Sequence, residues 1–306
     1  MAGVDILLHG ACAVLLVLGI VIMASSFLRP GWALLAIPAA AVYGAAALRR
    51  PLRRRRIARQ PFPRAWRDIL LGGVPFYREL GSEGRRRFER DVRYFLAEQR
   101  IEGVDDVEIT DEVKVLIAAG AAVLLHGQPE WELPRGHTIL VYRSAFDETF
   151  RCRQEGPLAG QMHGQGPIII SLEALLGGWR GETEDSNVAL HEFAHLMDMR
   201  CATAHGIPRM LTPRAARAWV DLVHREMAKV ERGRSLLREY AATDEAEFFA
   251  VAVEYFFQKP EALRDGHPEL YAALAQFFNQ DPASRNDILR VKKNTDGSTT
   301  YYVAGV

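Results

Sequence analysis

The chain opens with two apolar blocks and then changes to helix-spaced and strand-like patterns. Residues 6–28 hold no Asp, Glu, Lys or Arg, and at about 1.5 Å per helical residue this run would cross roughly 30 Å of hydrocarbon. Residues 31–48 are a second uncharged run, shorter, alanine-rich and interrupted by Pro38, and seven arginines crowd residues 49–59. The positive-inside rule places such a flank in the cytoplasm. The pattern predicts a transmembrane hairpin over residues 1–50, with spans at about 6–28 and 31–48, and a basic juxtamembrane linker over 51–60. One span with residues 31–48 lying on the interface is the alternative. A cleaved signal peptide fits less well, because residues 1–5 carry no lysine or arginine. The arginine run either binds anionic headgroups or only fixes topology.

Beyond residue 60 the periodicity becomes that of a folded domain. Ser82 stands where an N-cap would, and Phe88, Val92, Phe95 and Leu96 follow helical spacing. Thr110 precedes residues 111–125, which are apolar on nearly every side and therefore predicted to form a buried helix that Gly127 stops. Residues 138–142 and 168–172 are short β-rich runs suited to a small sheet. The second is an internal strand or one free to pair with extended substrate. Pro213 starts a helix running to about Val230, an aromatic-rich helix ends near Lys259 and Pro260, and residues 271–278 form a last helix. After residue 287, two β-prone runs flank residues 294–297 and leave hairpin and disorder both open. These elements give a helix-rich α+β domain over residues 61–282 with a small β-sheet, followed by a tail over 283–306.

Charge and cysteine content narrow the function. The chain has 38 basic and 38 acidic residues, but residues 1–59 contain eight arginines and a single acid, Asp5. Setting these aside leaves 30 basic against 37 acidic groups. A surface of that sign does not favour a phosphate backbone, so nucleic acid is not an expected partner. Cys12, Cys152 and Cys201 form no paired framework, as a reducing compartment allows.

Residues 191–195 read His-Glu-Phe-Ala-His. On a helix the two histidines project from one face and can grip one metal ion, while Glu192 is turned aside and can act on a water at that metal. Zinc suits two imidazoles plus one further protein ligand, with a position left open for water. Burying two histidines and a glutamate among apolar neighbours is costly unless something satisfies them. The third ligand lies in the carboxylate-rich segment 239–254, where Glu247 and Glu254 are both candidates and Asp244 with Glu247 also has the spacing of a capping box. Asp198, three residues after His195, is placed either to support the histidines from behind, directly or through a neighbouring side chain, or to stand at the surface. Of the remaining histidines, His163 in a glycine-rich loop is the one with a candidate substrate role.

Residues 191–200 and 240–257, with residues 63–66, 74–78 and 108–113, resemble the MtfA family of bacterial zinc-dependent peptidases, relatives of the anthrax lethal factor catalytic domain. The resemblance spans about residues 61–282 and implies a zincin-like metallopeptidase domain. It implies His191, His195 and Glu247 as zinc ligands, Glu192 as the catalytic glutamate, and Tyr240 as a phenol near the metal that could donate to the oxyanion of a tetrahedral intermediate. It also implies aminopeptidase-type activity on peptide or protein substrates and a transcriptional-regulator partner. The apolar amino terminus departs from the soluble member that gives the family its name, and predicts a catalytic domain tethered to the cytoplasmic face of the inner membrane. A regulatory binding module with structural zinc is the competing class, against which Glu192 argues, since a structural site needs no general base. An exported peptidase is a third.

Overall fold

A computed structural model describes residues 33–144, 167–182, 186–198, 206–208, 211, 213–284, 289–293 and 299–303. The chain divides into two units, Met1–Pro61 and Phe62–Val306. In the first, the described residues form one helix, α1 (Ala33–Arg59), which carries Arg56 and Arg59 in its last turn. The arginine-rich stretch read from sequence as a linker is thus helical. Arginine is a good helix former, and cations suit the negative end of a helix dipole. No helix among the described residues is long and apolar enough to cross a membrane. Residues 6–28 lie outside the described residues.

The second unit opens with α2 (Arg64–Gly73), α3 (Pro75–Glu79) and α4 (Ser82–Glu98). Ser82 is the first residue of its helix rather than the cap, a position held by Gly81. Strand β1 (Arg100–Gly103) follows directly, and α5 (Asp111–Leu125) begins where the Thr110 side chain accepts from the Val113 N–H. Nearly every residue of α5 from Val113 to Leu124 is buried. Such a helix cannot face water and sits at the centre, against α2, α4 and two later helices.

The sheet has three parallel strands in the order β1, β2 (Thr138–Tyr142), β3 (Ile168–Ser171), with Ile101 opposite Ile139 and Ile139 opposite Ile168. The sequence pattern indicates only the last two. β1 is four residues long and bears Arg100 and Glu102, so it shows too little apolar alternation to stand out. Ser171 ends β3 and caps α6 (Leu172–Arg180), accepting from the Ala174 N–H.

Helix α7 (Val188–Asp198) lies between α5 and α9 (Glu245–Gln258) and touches β3. Its approach to α5 is close: a Cβ placed on Gly120 would stand 2.8 Å from the Ala189 Cβ. Helix α8 (Pro213–Glu231) and a 3-10 turn (Glu239–Ala242) lead to α9, then α10 (Pro260–Gly266) and α11 (Pro268–Phe278) close the domain. Phe248, Phe249, Val251, Val253 and Phe256 of α9 are fully buried. Each such side chain is worth about 1.5–3 kcal/mol in transfer from water, which holds this helix in place despite the two carboxylates it takes into the interior. Strands β4 (Leu289–Lys293) and β5 (Thr299–Val303) pair antiparallel, so the tail forms a hairpin.

Candidate metal centre

Helix α7 is preceded by Asn187, whose side-chain oxygen accepts from the Leu190 N–H at 3.2 Å and whose carbonyl accepts from the His191 N–H. One turn further on, His191 and His195 project together, their Nε2 atoms 3.2 Å apart. Facing them from α9 is Glu247, with Oε2 at 3.2 Å from His191 Nε2 and Oε1 at 3.5 Å from His195 Nε2. Asp244 caps α9 by accepting from the Glu247 N–H at 2.8 Å. The capping box is therefore used on its Asp244 side, and the Glu247 carboxylate faces the two histidines.

These three side chains are the group that can hold a metal among the described residues, and their spacing can be tested against zinc. Three ligands about 2.1 Å from a shared tetrahedral centre lie roughly 3.4 Å from one another. The two Nε2 atoms stand 3.2 Å apart, near that figure, while Glu247 faces them with different oxygens, Oε2 at 3.2 Å from His191 and Oε1 at 3.5 Å from His195, and one donor atom from each residue lies within 4.8 Å of the others. Two nitrogen lone pairs and a carboxylate turned inward repel unless positive charge sits among them. Burial opposes charge on His191, yet Glu254 and Glu247 outweigh it and hold the imidazole well above its usual pKa. Burial would likewise raise Glu247, but its bonds to His191 and His195 hold it far below the carboxylate range. The residues fit a divalent ion.

Behind His191, its Nδ1 lies 2.5 Å from Glu254 Oε1. Glu254 is completely buried and also accepts from the Asn187 N–H at 2.7 Å and from both terminal nitrogens of Arg238, at 2.6 and 3.2 Å. Burial would push its carboxyl up, but the charges of His191 and Arg238 keep it ionised and below its ordinary pKa. From sequence, Glu254 competes with Glu247 to be the third ligand; it stands seven residues further along α9, two turns away on the same face, and meets the opposite nitrogen of the same histidine. Asp198 accepts from the backbone N–H groups of Gly206 and Ile207, at 2.5 and 2.7 Å. It ties the chain after α7 back to the helix end.

Glu192 is half-buried beside His191, and its charge adds to the field on that ring. The Tyr240 ring lies 6.3 Å from the His191 ring, centroid to centroid, and the Arg238 guanidinium lies 5.9 Å from the Tyr240 ring centre. The segment bearing both residues is seated by a second buried pair. Leu236 N–H and Ser235 Oγ meet His267 Nε2 at 3.4 and 3.1 Å, while His267 Nδ1 donates to Glu226 at 2.5 Å. Sequence reasoning missed Arg238, Asn187 and Gly120, whose roles depend on which helices meet. His163 lies outside the described residues.

A helical His-Glu-x-x-His element closed by a glutamate from a second helix defines a protein of the metallopeptidase class. The chain belongs to the family described as glucose-regulated metallo-peptidase M90, whose model matches residues 49–279. Its relatives include Mlc titration factor A of Escherichia fergusonii, 31% identical over 252 residues covering 77% of this chain and 92% of the relative. Mlc titration factor A of Edwardsiella ictaluri is 30% identical over 233 residues, 69% of this chain and 86% of that protein. An uncharacterized Synechocystis sp. protein is 30% identical over 251 residues, 75% and 89% respectively.

Proposed function

We propose that this chain is a zinc-dependent peptidase in which His191, His195 and Glu247 hold the ion and Glu192 moves the proton. The observation that carries this reading is the convergence of two Nε2 atoms and one carboxylate, a donor atom of each within 4.8 Å of the others, with Glu192 next in sequence to a ligand. Zinc, when bound, supplies the Lewis acidity that activates water and polarises the scissile carbonyl. Glu192 accepts a proton from the attacking water at a carboxylate oxygen and delivers it to the leaving amine. Tyr240 donates its phenolic hydrogen to the oxygen on which negative charge develops. Arg238 and the 3-10 turn hold that ring beside His191. The resemblance to MtfA peptidases favours release of amino-terminal residues over internal cleavage.

The test is hydrolysis of fluorogenic aminoacyl and end-blocked peptides by wild type and Glu192→Gln. General acid–base catalysis is worth about 10²–10⁴-fold, so the variant should keep its metal and lose at least that much turnover. Equal turnover would overturn the assignment of Glu192. Cleavage of end-blocked peptides alone would overturn the aminopeptidase preference.

A second reading rests on the relatives' name, Mlc titration factor A. It assigns this chain binding of a transcriptional regulator, with zinc in a structural role, and predicts that Glu192→Gln is silent. The proposed membrane tether rests on residues 6–28 and the arginines that follow. Extraction of the full chain from membranes by alkaline carbonate would contradict it.

A further inference from the structure

Resting on the zinc reading above, we propose that Glu254 and Arg238 are a positioning pair that locks His191 in the tautomer with hydrogen on Nδ1, leaving the Nε2 lone pair for the metal. Neither residue touches the site where the ion would sit. Their effect passes through the ring.

The argument starts from what each atom can donate. An ionised carboxylate has no hydrogen to give, and Arg238 and the Asn187 N–H have no lone pair to accept with. At Glu254 Oε1, 2.5 Å from His191 Nδ1, the hydrogen must therefore be on the ring. Each Glu254 oxygen is shared: Oε1 accepts from His191 and Arg238 Nη2, and Oε2 accepts from Asn187 and Arg238 Nη1. The two-pronged guanidinium fixes the plane of the carboxylate, and so the plane in which the imidazole must present its N–H. Glu254 also holds the first backbone N–H at the start of α7. One side chain thus sets both the ring and the position of the helix that bears it.

Glu254→Gln probes this arrangement because the amide keeps the shape and replaces one acceptor by a donor. If the NH2 group occupies the Oε1 position, His191 has to turn its Nδ1 lone pair toward it and put hydrogen on Nε2, where the metal would bind. If it occupies the Oε2 position, it opposes the Asn187 N–H and loosens the start of α7. Partners behind a metal-binding histidine are worth about 10–100-fold in affinity.

The experiment measures zinc affinity of the full chain by competition with a chelator, for wild type and Glu254→Gln, alongside a long-range 1H–15N spectrum of the zinc-loaded wild type. The expected results are a 10–100-fold weaker zinc Kd in the variant and, in wild type, a His191 ring protonated at Nδ1 and metal-shifted at Nε2. A folded variant with wild-type zinc affinity overturns the proposal and leaves the peptidase reading standing; a merely structural glutamate would lower melting temperature in this way without altering metal affinity. Should the variant not fold, the wild-type spectrum decides, and an unprotonated Nδ1 overturns the proposal. Wild type that takes up no zinc overturns the peptidase reading itself.

Discussion

Gly120 is where the buried core and the metal helix meet, and Gly120→Ala should weaken zinc binding without touching a ligand. An added Cβ would stand 2.8 Å from Ala189 Cβ, 3.1 Å from its carbonyl carbon and 3.3 Å from its oxygen. Carbon atoms in contact prefer about 3.5–4.0 Å, so α7 would have to retreat by roughly 0.7–1 Å. Ala189 lies two residues before His191 on that helix, and functional geometry tolerates only about 0.5 Å. In an exposed helix the same substitution would stabilise by about 1 kcal/mol. Overpacking in a tight core costs about 1–3 kcal/mol, so the clash wins or at least cancels the gain. The assay is a double-mutant cycle of Gly120→Ala with Ala189→Gly, read by urea denaturation and by chelator competition for zinc. The second substitution removes the nearest of these atoms but leaves the carbonyl carbon and oxygen at 3.1 and 3.3 Å, so the pair should show a favourable coupling of about 0.5–1 kcal/mol and recover part of the zinc affinity. A single Gly120→Ala variant that is more stable than wild type and binds zinc equally well would refute the argument.

Three further outcomes follow from the same geometry. Asp198→Ala frees the Gly206 and Ile207 amides and should lower stability by about 1–3 kcal/mol in chemical denaturation; no change would mean that the tie contributes nothing. Tyr240→Phe should reduce kcat by about 10–10³-fold with KM little altered, measured on the best fluorogenic peptide; a change confined to KM would remove the oxyanion role. His126 is buried, and burial together with the charges of Arg87 and Arg90 pushes its pKa down to about 3. Because the folded ring binds fewer protons than the unfolded one, its stability contribution is complete above about pH 6.5 and is lost as pH falls from there toward 3. At pH 5 the loss is about 2 kcal/mol, so His126→Gln should flatten the acid limb of the urea stability curve by that amount between pH 7.5 and pH 5. An unchanged slope would contradict it.

How far the fold and site could be read in advance depended on whether a signal was local. The α5 helix was legible because an uncharged run after Lys114 can only be interior, and Thr110 marks its start. The two histidines were legible because four-residue spacing has one meaning on a helix. Residue spacing alone left Glu247 and Glu254 both open, since both lie on the same face of α9 and the choice depends on how that helix meets α7; only the family resemblance pointed to Glu247. The parallel sheet was half visible: Thr138–Tyr142 and Ile168–Ser171 show β-rich runs, whereas Arg100–Gly103 gains its identity only by pairing with β2. Arg238 had no signal at all, because an arginine in a polar loop is ordinary until a buried carboxylate 16 residues away is found to need it.

Elemental analysis of the purified full chain, as isolated and after reloading, tests the account at its root when wild type is compared with Glu247→Ala. The account predicts one zinc per wild-type chain, held through gel filtration, and its loss in the variant with the fold intact by circular dichroism. Folded wild-type protein that retains no stoichiometric ion after reloading would contradict it.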